Sequence, residues 1–302
     1  MTGRPRPESA GRGRGFGYNS FVIALVEPYR THLPPLLAAA FAEDLPDITS
    51  SAVFGPDDTL HAELIAKQDG VACGGPAFAA AYRFLDADCD VRVLVEDGAA
   101  VHSGTLLAAV SGRARTVLAA ERTSLNLIMR LSGVATLTRR FVDALAGTPC
   151  RVLDTRKTTP GWRALEKHAV RCGGGSNHRM GLYDAAMLKD THLAAAGSLT
   201  AAVARIRERW GERVPLIVEC SELAQVAEAL ACAVPHILLD NMTAERLRES
   251  VAMARGRAVL EASGGVTLEN ARAFAETGVD FVSVGALTHS ARALDLSLKV
   301  RP

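Results

Sequence analysis

Four β-prone runs in the second half of the chain recur at intervals of about twenty residues, and each ends in a polar or small residue. The runs are LIVE ending at Glu219, HILLD ending at Asp240, VLEAS ending at Ser263 and FVSVG ending at Gly285. Helix-like segments follow at 222–230, 244–254 and 268–277. Strand–helix alternation at this spacing predicts parallel βα units. Because the chain lacks a dinucleotide-type glycine fingerprint, a barrel is favoured over a doubly wound sheet.

The carboxyl ends of barrel strands meet at one face, where the strand-end side chains surround a pocket. Two earlier strands are predicted to end at Asp154 and Lys189. We therefore expect six residues to converge on one pocket: Asp154, Lys189, Glu219, Asp240, Ser263 and Gly285. The last two strands run into Ser263–Gly264–Gly265 and Gly285–Ala286, where small residues let backbone N–H groups approach a phosphate. Tight βα turns are the alternative interpretation of these glycines.

Positive charge is concentrated in the segment from Asp154 to His192. The segment contains DTRKTTPG, GGGSNHR and KDTH, and its cations Arg156, Lys157, Arg179 and Lys189 have no run of compensating carboxylates beside them. An arginine grips a carboxylate in a bidentate fashion, and a lysine acts as a point charge. The pattern predicts a site for a small substrate that carries several negative charges.

The first half of the chain, from Val22 to about Gly112, alternates strand-like runs with Ala-rich helical patterns, which is typical of a compact α+β domain. The strand-like runs are 61–67, 91–95 and 105–110, and the helical patterns are 36–43 and 77–85. A further helix is predicted from Arg115 to Leu131, with Gly133 near its stop. Arg122 and Asn126 share a face of this helix, either as functional groups or as part of a surface with a salt bridge.

Composition narrows the class of protein. A length of 302 residues fits one large domain plus a smaller one, and a net charge of +1 argues against a nucleic-acid or membrane-surface binder. Six scattered cysteines without a CxxC pair predict reduced thiols in a cytoplasmic enzyme. The apolar run after Phe21 is interrupted by charges and is too short to span a membrane. Residues 1–18 are predicted to be a disordered Arg/Gly tail, with an RNA contact as the alternative.

Seven blocks of the chain, in order, resemble the quinolinate phosphoribosyltransferase family, also called carboxylating nicotinate-nucleotide pyrophosphorylases. The blocks are EDLPDITS, ERTSLN with LSGVAT, DTRKTTPG, HAVRCGGGSNHRMGL, LLDNM, EASGG and VDFVSVGALTHS. The similarity runs from about Val22 to Leu298. DTRKTTPG followed by GGGSNHR is a combination that chance rarely produces, so the resemblance is specific.

The resemblance implies an α/β protein of the type II phosphoribosyltransferase architecture. An N-terminal α+β sandwich would span 19–132, an incomplete α/β barrel 133–289, and a C-terminal segment, 290–302, would pack back on the sandwich. It also implies a homodimer, or a higher oligomer, in which one subunit's sandwich covers its partner's barrel mouth. The implied reaction converts quinolinate and phosphoribosyl pyrophosphate into nicotinate mononucleotide, pyrophosphate and carbon dioxide, with Mg²⁺ required.

Roles for individual residues follow from the same resemblance. The quinolinate carboxylates would be held by Arg156, His178, Arg179 and Lys189, with Arg122 reaching in from the partner subunit. Glu219 and Asp240 would contact Mg²⁺ and the ribose or would stabilise positive charge on the ribose ring, and they are catalytic candidates together with Lys157 and Lys189. Lys157 would face either the phosphates or the ring acid. Phosphoribosyl pyrophosphate would contact Lys157, Glu219, Asp240, Ser263, Gly264, Gly265, Gly285, Ala286 and His289.

The remaining histidines need separate interpretations. His192 and His289 are predicted to lie on the phosphate side of the site or behind its contact residues. The other five are predicted to be surface or internally satisfied histidines: His32, His61, His102, His168 and His236.

Two positions depart from the family pattern, because Thr191 replaces an asparagine and Ile217 replaces an acidic residue. Ile217 lies two residues before Glu219, on the same strand face and deeper in the barrel. Three hypotheses follow: a carboxylating phosphoribosyltransferase, a relative that acts on another pyridine or azole acid, and a non-catalytic dimeric binding protein. The third requires a decayed site, whereas every charged residue that the family chemistry uses is present.

Overall fold

The structure, a computed structural model, describes residues 29–301, so the predicted tail at 1–18 lies outside the described residues. The helices are α1 (Tyr29–Asp44), α2 (Ile48–Val53), α3 (Gly75–Leu85), α4 (Ala114–Ala144), α5 (Arg163–Cys172), α6 (Asp190–Ala196), α7 (Leu199–Trp210), α8 (Leu223–Ala231), α9 (Ala244–Ala254), α10 (Leu268–Ala275) and α11 (Ala286–His289). The strands are β1 (Thr59–Ala66), β2 (Gly70–Val71), β3 (Asp90–Val93), β4 (Ala100–Val101), β5 (Leu106–Arg113), β6 (Arg151–Leu153), β7 (Ala186–Leu188), β8 (Leu216–Cys220), β9 (His236–Asp240), β10 (Val259–Ser263), β11 (Phe281–Ser283) and β12 (Leu296–Arg301).

An antiparallel sheet with the order β12–β1–β5–β3 forms the N-terminal part. Along β1, Ala62, Leu64 and Ala66 are buried while the residues between them are more exposed, as expected for a strand with one covered face. Helix α3 and the first part of α4 pack on each other beside this sheet. The last strand, β12, comes from the end of the chain and pairs antiparallel with β1, so residues 296–301 return to the N-terminal sheet.

Helix α4 is longer than the sequence predicted. It runs from Ala114 to Ala144, so Gly133 lies in its interior instead of near its stop, and the predicted boundary at 132/133 falls within one continuous helix. A Cβ atom at Gly133 would lie 2.1 Å from the carbonyl oxygen of Arg292. Glycine is therefore required here by close packing against the chain before β12, and the sequence signal was misread as a helix end.

A parallel sheet with the order β6–β11–β10–β9–β8–β7 forms the C-terminal part and confirms the predicted α/β barrel. The barrel is incomplete: no hydrogen-bonded ladder joins β6 to β7 in the described chain, and Ser176 makes a single parallel bridge with Leu153 of β6. The predicted helices after β8, β9 and β10 all form and end within two residues of their predicted bounds.

The barrel interior holds a small apolar cluster below the strand ends. Ala185, Ile217 and Leu238 form it, and Met187 packs against them. The prediction that Ile217 points into the barrel below Glu219 is therefore confirmed. Among residues 29–301, no helix combines the length and the apolar character needed to cross a membrane.

Candidate active site

The carboxyl ends of the parallel strands surround a cavity of about 740 Å³. Its walls come from the loops that follow β6, β7 and β8 to β11, which is where ligands bind in α/β barrels. The predicted site residues that line it are Arg156, Lys157, His178, Arg179, Lys189, Glu219, Asp240, Ser263, Gly264, Gly265, Gly285, Ala286 and His289.

Asp154 does not reach this cavity, contrary to the prediction that every strand-end side chain would converge there. It is fully buried and forms an ion pair with Lys167, itself only 1% exposed. Its carboxylate also accepts hydrogen bonds from Asn177 Nδ2 at 2.6 Å and from the His178 backbone N–H at 2.8 Å. Asp154 therefore anchors the segment that carries His178 from below.

Arg122 also lies away from the cavity of its own chain. Its side chain is 66% exposed on α4, and the nearest carboxylate oxygen, on Glu121, is 4.0 Å from its guanidinium. Because a contact at that distance between exposed groups contributes little, Arg122 remains available to another molecule.

Three cations in the cavity lack a carboxylate partner. Arg156, Lys157 and Arg179 form no ion pair within residues 29–301, and Arg156 Nε is buried without a hydrogen bond. Burial, together with the neighbouring positive charge of Arg156, lowers the pKa of Arg179. A cation crowded against another cation in a partly buried site is stabilised when an anion binds between them.

Internal contacts fix the positions of these cations. Arg163 Nη1 donates to the Met180 carbonyl oxygen at 3.2 Å and its Nη2 to the Arg156 carbonyl oxygen at 3.3 Å. Because these carbonyls belong to the two cation-bearing loops, Arg163 ties the loops together. The buried Glu166 accepts from both the backbone N–H and the hydroxyl of Thr159, and pairs with Arg130 at 2.9 Å. The site is thus preorganised before a substrate arrives.

The two predicted catalytic carboxylates lie on adjacent strands. Glu219 forms an ion pair with Lys189, and Asp240 accepts a hydrogen bond from Asn241 Nδ2 at 2.8 Å. Both carboxylates face the cavity and are hard oxygen donors of the kind that Mg²⁺ prefers. The residues present therefore fit a magnesium ion, although Lys189 now occupies one side of Glu219.

Glu261 is a site residue that the sequence prediction missed. Its carboxylate is completely buried within β10 and lies 2.8 Å from His236 Nε2 and 3.3 Å from His178 Nε2, with Ser283 Oγ donating to it. Burial opposes ionisation, but the contacts with the two imidazoles outweigh it and lower the pKa of Glu261 to about 2. The sequence did contain a signal for this residue: Glu261 lies in the middle of an otherwise apolar strand, and a buried carboxylate requires polar partners inside the protein.

The histidines take different positions. His178 lines the cavity, but its Nδ1 accepts from the Arg179 backbone N–H at 2.7 Å and its Nε2 faces Glu261, so both ring nitrogens are directed at protein groups. His289 lines the cavity with its Nδ1 2.6 Å from Ser290 Oγ.

His192 lies outside the lining, where its Nδ1 accepts from the Lys189 backbone N–H at 3.1 Å and caps α6. His236 contacts Glu261 inside the barrel, and His168 contacts Asp97.

The loop after β10 brings its backbone close to the neighbouring strand end. Gly264 has a φ of +90°, and a Cβ there would lie 2.2 Å from Asn241 Oδ1. Only glycine fits this conformation and this approach. Together with Gly265 and Thr267 it forms the cavity wall beside α10.

An open α/β barrel with several cations at its mouth is characteristic of an enzyme that binds an anionic substrate at its strand ends. Two family models match the chain: "Quinolinate phosphoribosyl transferase, N-terminal domain" covers residues 47–132, and the corresponding C-terminal domain covers residues 134–299. The chain belongs to the quinolinate phosphoribosyl transferase family, as its sequence blocks indicated.

Individual relatives agree with this assignment. The chain is 42% identical to the probable nicotinate-nucleotide pyrophosphorylase [carboxylating] of Bacillus subtilis (strain 168), covering 89% of this chain and 93% of that protein. It is 46% identical to the corresponding probable enzyme of Synechocystis, covering 80% and 82%. The crystal structure of NadC from Streptococcus pyogenes superposes with a TM-score of 0.87 at 37% identity, covering 92% of this chain and 99% of that one.

Proposed function

We propose that this chain transfers the phosphoribosyl group of phosphoribosyl pyrophosphate to quinolinate with loss of carbon dioxide, giving nicotinate mononucleotide for NAD biosynthesis. The carrying observation is the group of unpaired cations, Arg156, Lys157 and Arg179, on the same cavity as Glu219 and Asp240. A pyridine dicarboxylate supplies the negative charge that the cations lack, and the carboxylates suit a ribose that becomes positively charged.

In this proposal, Arg156 and Arg179 hold the two ring carboxylates and orient the ring nitrogen toward the anomeric carbon of the sugar. Lys189 contacts the ring acid from the strand end beside Glu219. His178 forms the floor behind these contacts, with its Nε2 3.3 Å from the Glu261 carboxylate. Positioning a nucleophile in this way removes much of the entropic cost of a bimolecular reaction.

The phosphate groups would lie against the glycine loops after β10 and β11. Backbone N–H groups of Ser263 to Gly265 and of Gly285 and Ala286 would contact them, with Lys157 and His289 supplying side-chain donors. The Lys157 side chain lies against the loop after β11, since a Cβ at Gly285 would be 2.9 Å from its Cδ, so it would neutralise charge that develops on the departing pyrophosphate.

Glu219 and Asp240 would hold Mg²⁺ through their oxygens and stabilise the oxocarbenium-like ribose. When bound, the ion would neutralise charge on the pyrophosphate. Once the ring nitrogen is bonded to ribose, its positive charge accepts the electron pair that the departing carbon dioxide leaves on the ring, and a proton from solvent completes the product. The chain needs only to hold the ring and exclude water from that carboxylate.

A direct assay tests the proposal. Purified protein supplied with Mg²⁺, phosphoribosyl pyrophosphate and quinolinate should release carbon dioxide and form nicotinate mononucleotide. Turnover with a different pyridine or azole acid, but not with quinolinate, would favour a related transferase. That alternative is motivated by Ile217, which replaces an acidic residue of the family pattern. Binding of ring acids without any turnover would favour a non-catalytic protein.

The proposed assembly is a homodimer with shared sites, working in the cytoplasm. Support comes from the exposed Arg122, which no carboxylate of its own chain approaches closer than 4.0 Å, and from six unpaired cysteine thiols. Mixing Arg122→Ala subunits with Arg156→Ala subunits should restore partial activity, because a mixed dimer then contains one site with both arginines. If every such mixture stays inactive while the wild-type mixture is active, the sharing is refuted.

A further inference from the structure

A second cluster of polar side chains lies outside the active site, where the N-terminal part contacts the barrel. Cys73 precedes α3, Asp97 lies between β3 and β4, and His168 and Cys172 come from α5. The four candidate ligand atoms all lie within 4.8 Å of one another. Sequence spacing gave no sign of this cluster, because its members come from three separate segments.

Three of the distances within the cluster lie close to those of a tetrahedral metal site. His168 Nε2 lies 3.1 Å from Asp97 Oδ2 and 3.3 Å from Cys172 Sγ, and Cys73 Sγ lies 3.8 Å from Asp97 Oδ2. Zinc bonds of about 2.0–2.3 Å in tetrahedral geometry separate neighbouring ligand atoms by about 3.3–3.8 Å. All remaining pairs of ligand atoms lie within 4.8 Å, so the side chains would move by up to about 1 Å to surround an ion.

The local helix geometry favours chelation. His168 and Cys172 are four residues apart on α5, so both side chains project from the same helix face. Cys73 is fully buried, and the side chains of Asp97 and His168 are each 13% exposed. An enclosed site with four protein ligands is characteristic of structural zinc.

Surrounding groups orient the ligands from outside. Tyr29 donates its hydroxyl to Asp97 Oδ2 at 2.7 Å and packs its ring edge-on against His168 with centroids 5.0 Å apart. The other oxygen, Asp97 Oδ1, accepts from the backbone N–H groups of Gly74 and Gly75 at 2.8 and 3.1 Å. Such outer contacts fix ligand orientation in metal sites. The exposed Arg171 lies 3.5 Å from His168 Nδ1 and offers positive charge to the site's outer side.

We propose that Cys73, Asp97, His168 and Cys172 form a structural zinc site that joins the N-terminal part to the barrel. Binding releases the protons of the two thiols, so the ion and its ligands carry one net negative charge. Cys172 directly precedes the glycine triplet leading to His178 and Arg179. The site therefore stiffens the segment that delivers two active-site groups, a role independent of the proposed reaction.

Metal content tests the proposal on the full-length protein. Protein purified from zinc-supplemented cells and dialysed should retain about one zinc per chain by elemental analysis. The variants His168→Ala and Cys172→Ala should each lose most of it. Cys232→Ala is the matched control: Cys232 is also only partly buried but follows α8, away from the cluster, and its variant should keep the zinc.

Spectroscopy on the unmodified protein keeps the test valid if a variant fails to fold. After metal removal under reducing conditions, Co²⁺ should produce thiolate-to-cobalt charge-transfer absorption, and zinc should restore the melting temperature that chelation lowered. Absence of both zinc and cobalt binding in freshly reduced protein would overturn the proposal. A disulfide between Cys73 and Cys172 in the purified protein, with no metal uptake after reduction, would overturn it equally.

Discussion

Two groups of cations lie near the strand ends of the same barrel, and they differ in their partners. Below the cavity, Lys167 pairs with Asp154 and Arg130 pairs with Glu166, and both carboxylates are fully buried. At the cavity itself, Arg156, Lys157 and Arg179 have no carboxylate partner in the described chain. Cations of the same domain are thus paired in the interior and unpaired at the cavity.

This difference in pairing distinguishes charged side chains that stabilise the fold from charged side chains that bind a ligand. Burial raises the pKa of Asp154 and lowers that of Lys167, and the attraction between the two groups opposes both shifts. Arg179 has no ion pair of this kind: burial and the neighbouring Arg156 lower its pKa, and the attraction of Asp184 only partly opposes them. A fold that pairs its interior ions yet leaves three of the four Lys and Arg side chains of its cavity without an ion pair reserves those three for an anionic ligand.

The strongest expected effect comes from breaking the interior pair. Lys167→Met leaves the Asp154 carboxylate without its counter-charge in a buried position, which should reduce the free energy of unfolding by roughly 3–5 kcal/mol. Urea denaturation measures this change. Lys299→Met, at an exposed position on β12, is the control and should stay within about 0.5 kcal/mol. Equal small effects for the two variants would show that the interior pair has no special importance.

Removing a mouth cation should affect substrate binding more than stability. Arg156→Ala or Arg179→Ala should weaken quinolinate binding by roughly 2–4 kcal/mol, because the substrate carboxylate loses a charged partner in a partly desolvated site. Calorimetric titration and steady-state kinetics measure the loss, and denaturation should show little change. Arg205→Ala, on the exposed face of α7, is the control. Wild-type kinetics in both mouth variants would place the substrate elsewhere.

Glu261 shares a property with each group: it is buried like the interior ions, and it lines the cavity like the unpaired cations. Glu261→Gln should cost roughly 1–3 kcal/mol of stability and raise the KM for quinolinate, because His178 loses its charged neighbour. Since folding lowers the pKa of Glu261 from 4.5 to about 2, the carboxylate stabilises the fold above pH 4.5, and this contribution disappears as the pH falls toward 2.

Acid unfolding provides the measurement for this carboxylate. The stability difference between wild type and Glu261→Gln should be largest near neutral pH and should shrink steadily below pH 4.5. A difference that stayed constant down to pH 2 would mean that the carboxylate is not ionised in the fold.

The smallest effect is expected at the family departure on α6. Thr191 is exposed and lies outside the cavity lining, so Thr191→Asn should change stability by less than about 0.5 kcal/mol and leave the choice of ring acid unchanged. Comparing kcat/KM for quinolinate and a second pyridine acid checks this. A shift in that ratio would show that Thr191 reaches the substrate in the working enzyme.

Local patterns predicted much of the barrel. The runs ending at Glu219, Asp240 and Ser263 became β8, β9 and β10, because apolar strands bounded by turn residues are readable from sequence. Gly133 was misread because a glycine at a helix end and a glycine under a crossing backbone give the same one-letter signal. Asp154 was misplaced because strand order does not show that a carboxylate at a strand end forms a buried ion pair with a lysine of the following helix.

By itself, the sequence determined the open barrel, its family and the cations that line its mouth, since strand periodicity and motif order are properties of short segments. Only the tertiary structure decided which charges are paired, that His178 and His236 share Glu261, and that Cys73 and Asp97 meet His168 and Cys172. The physical reason is that pairing depends on distances of a few ångströms between residues far apart in the chain, which no local pattern encodes.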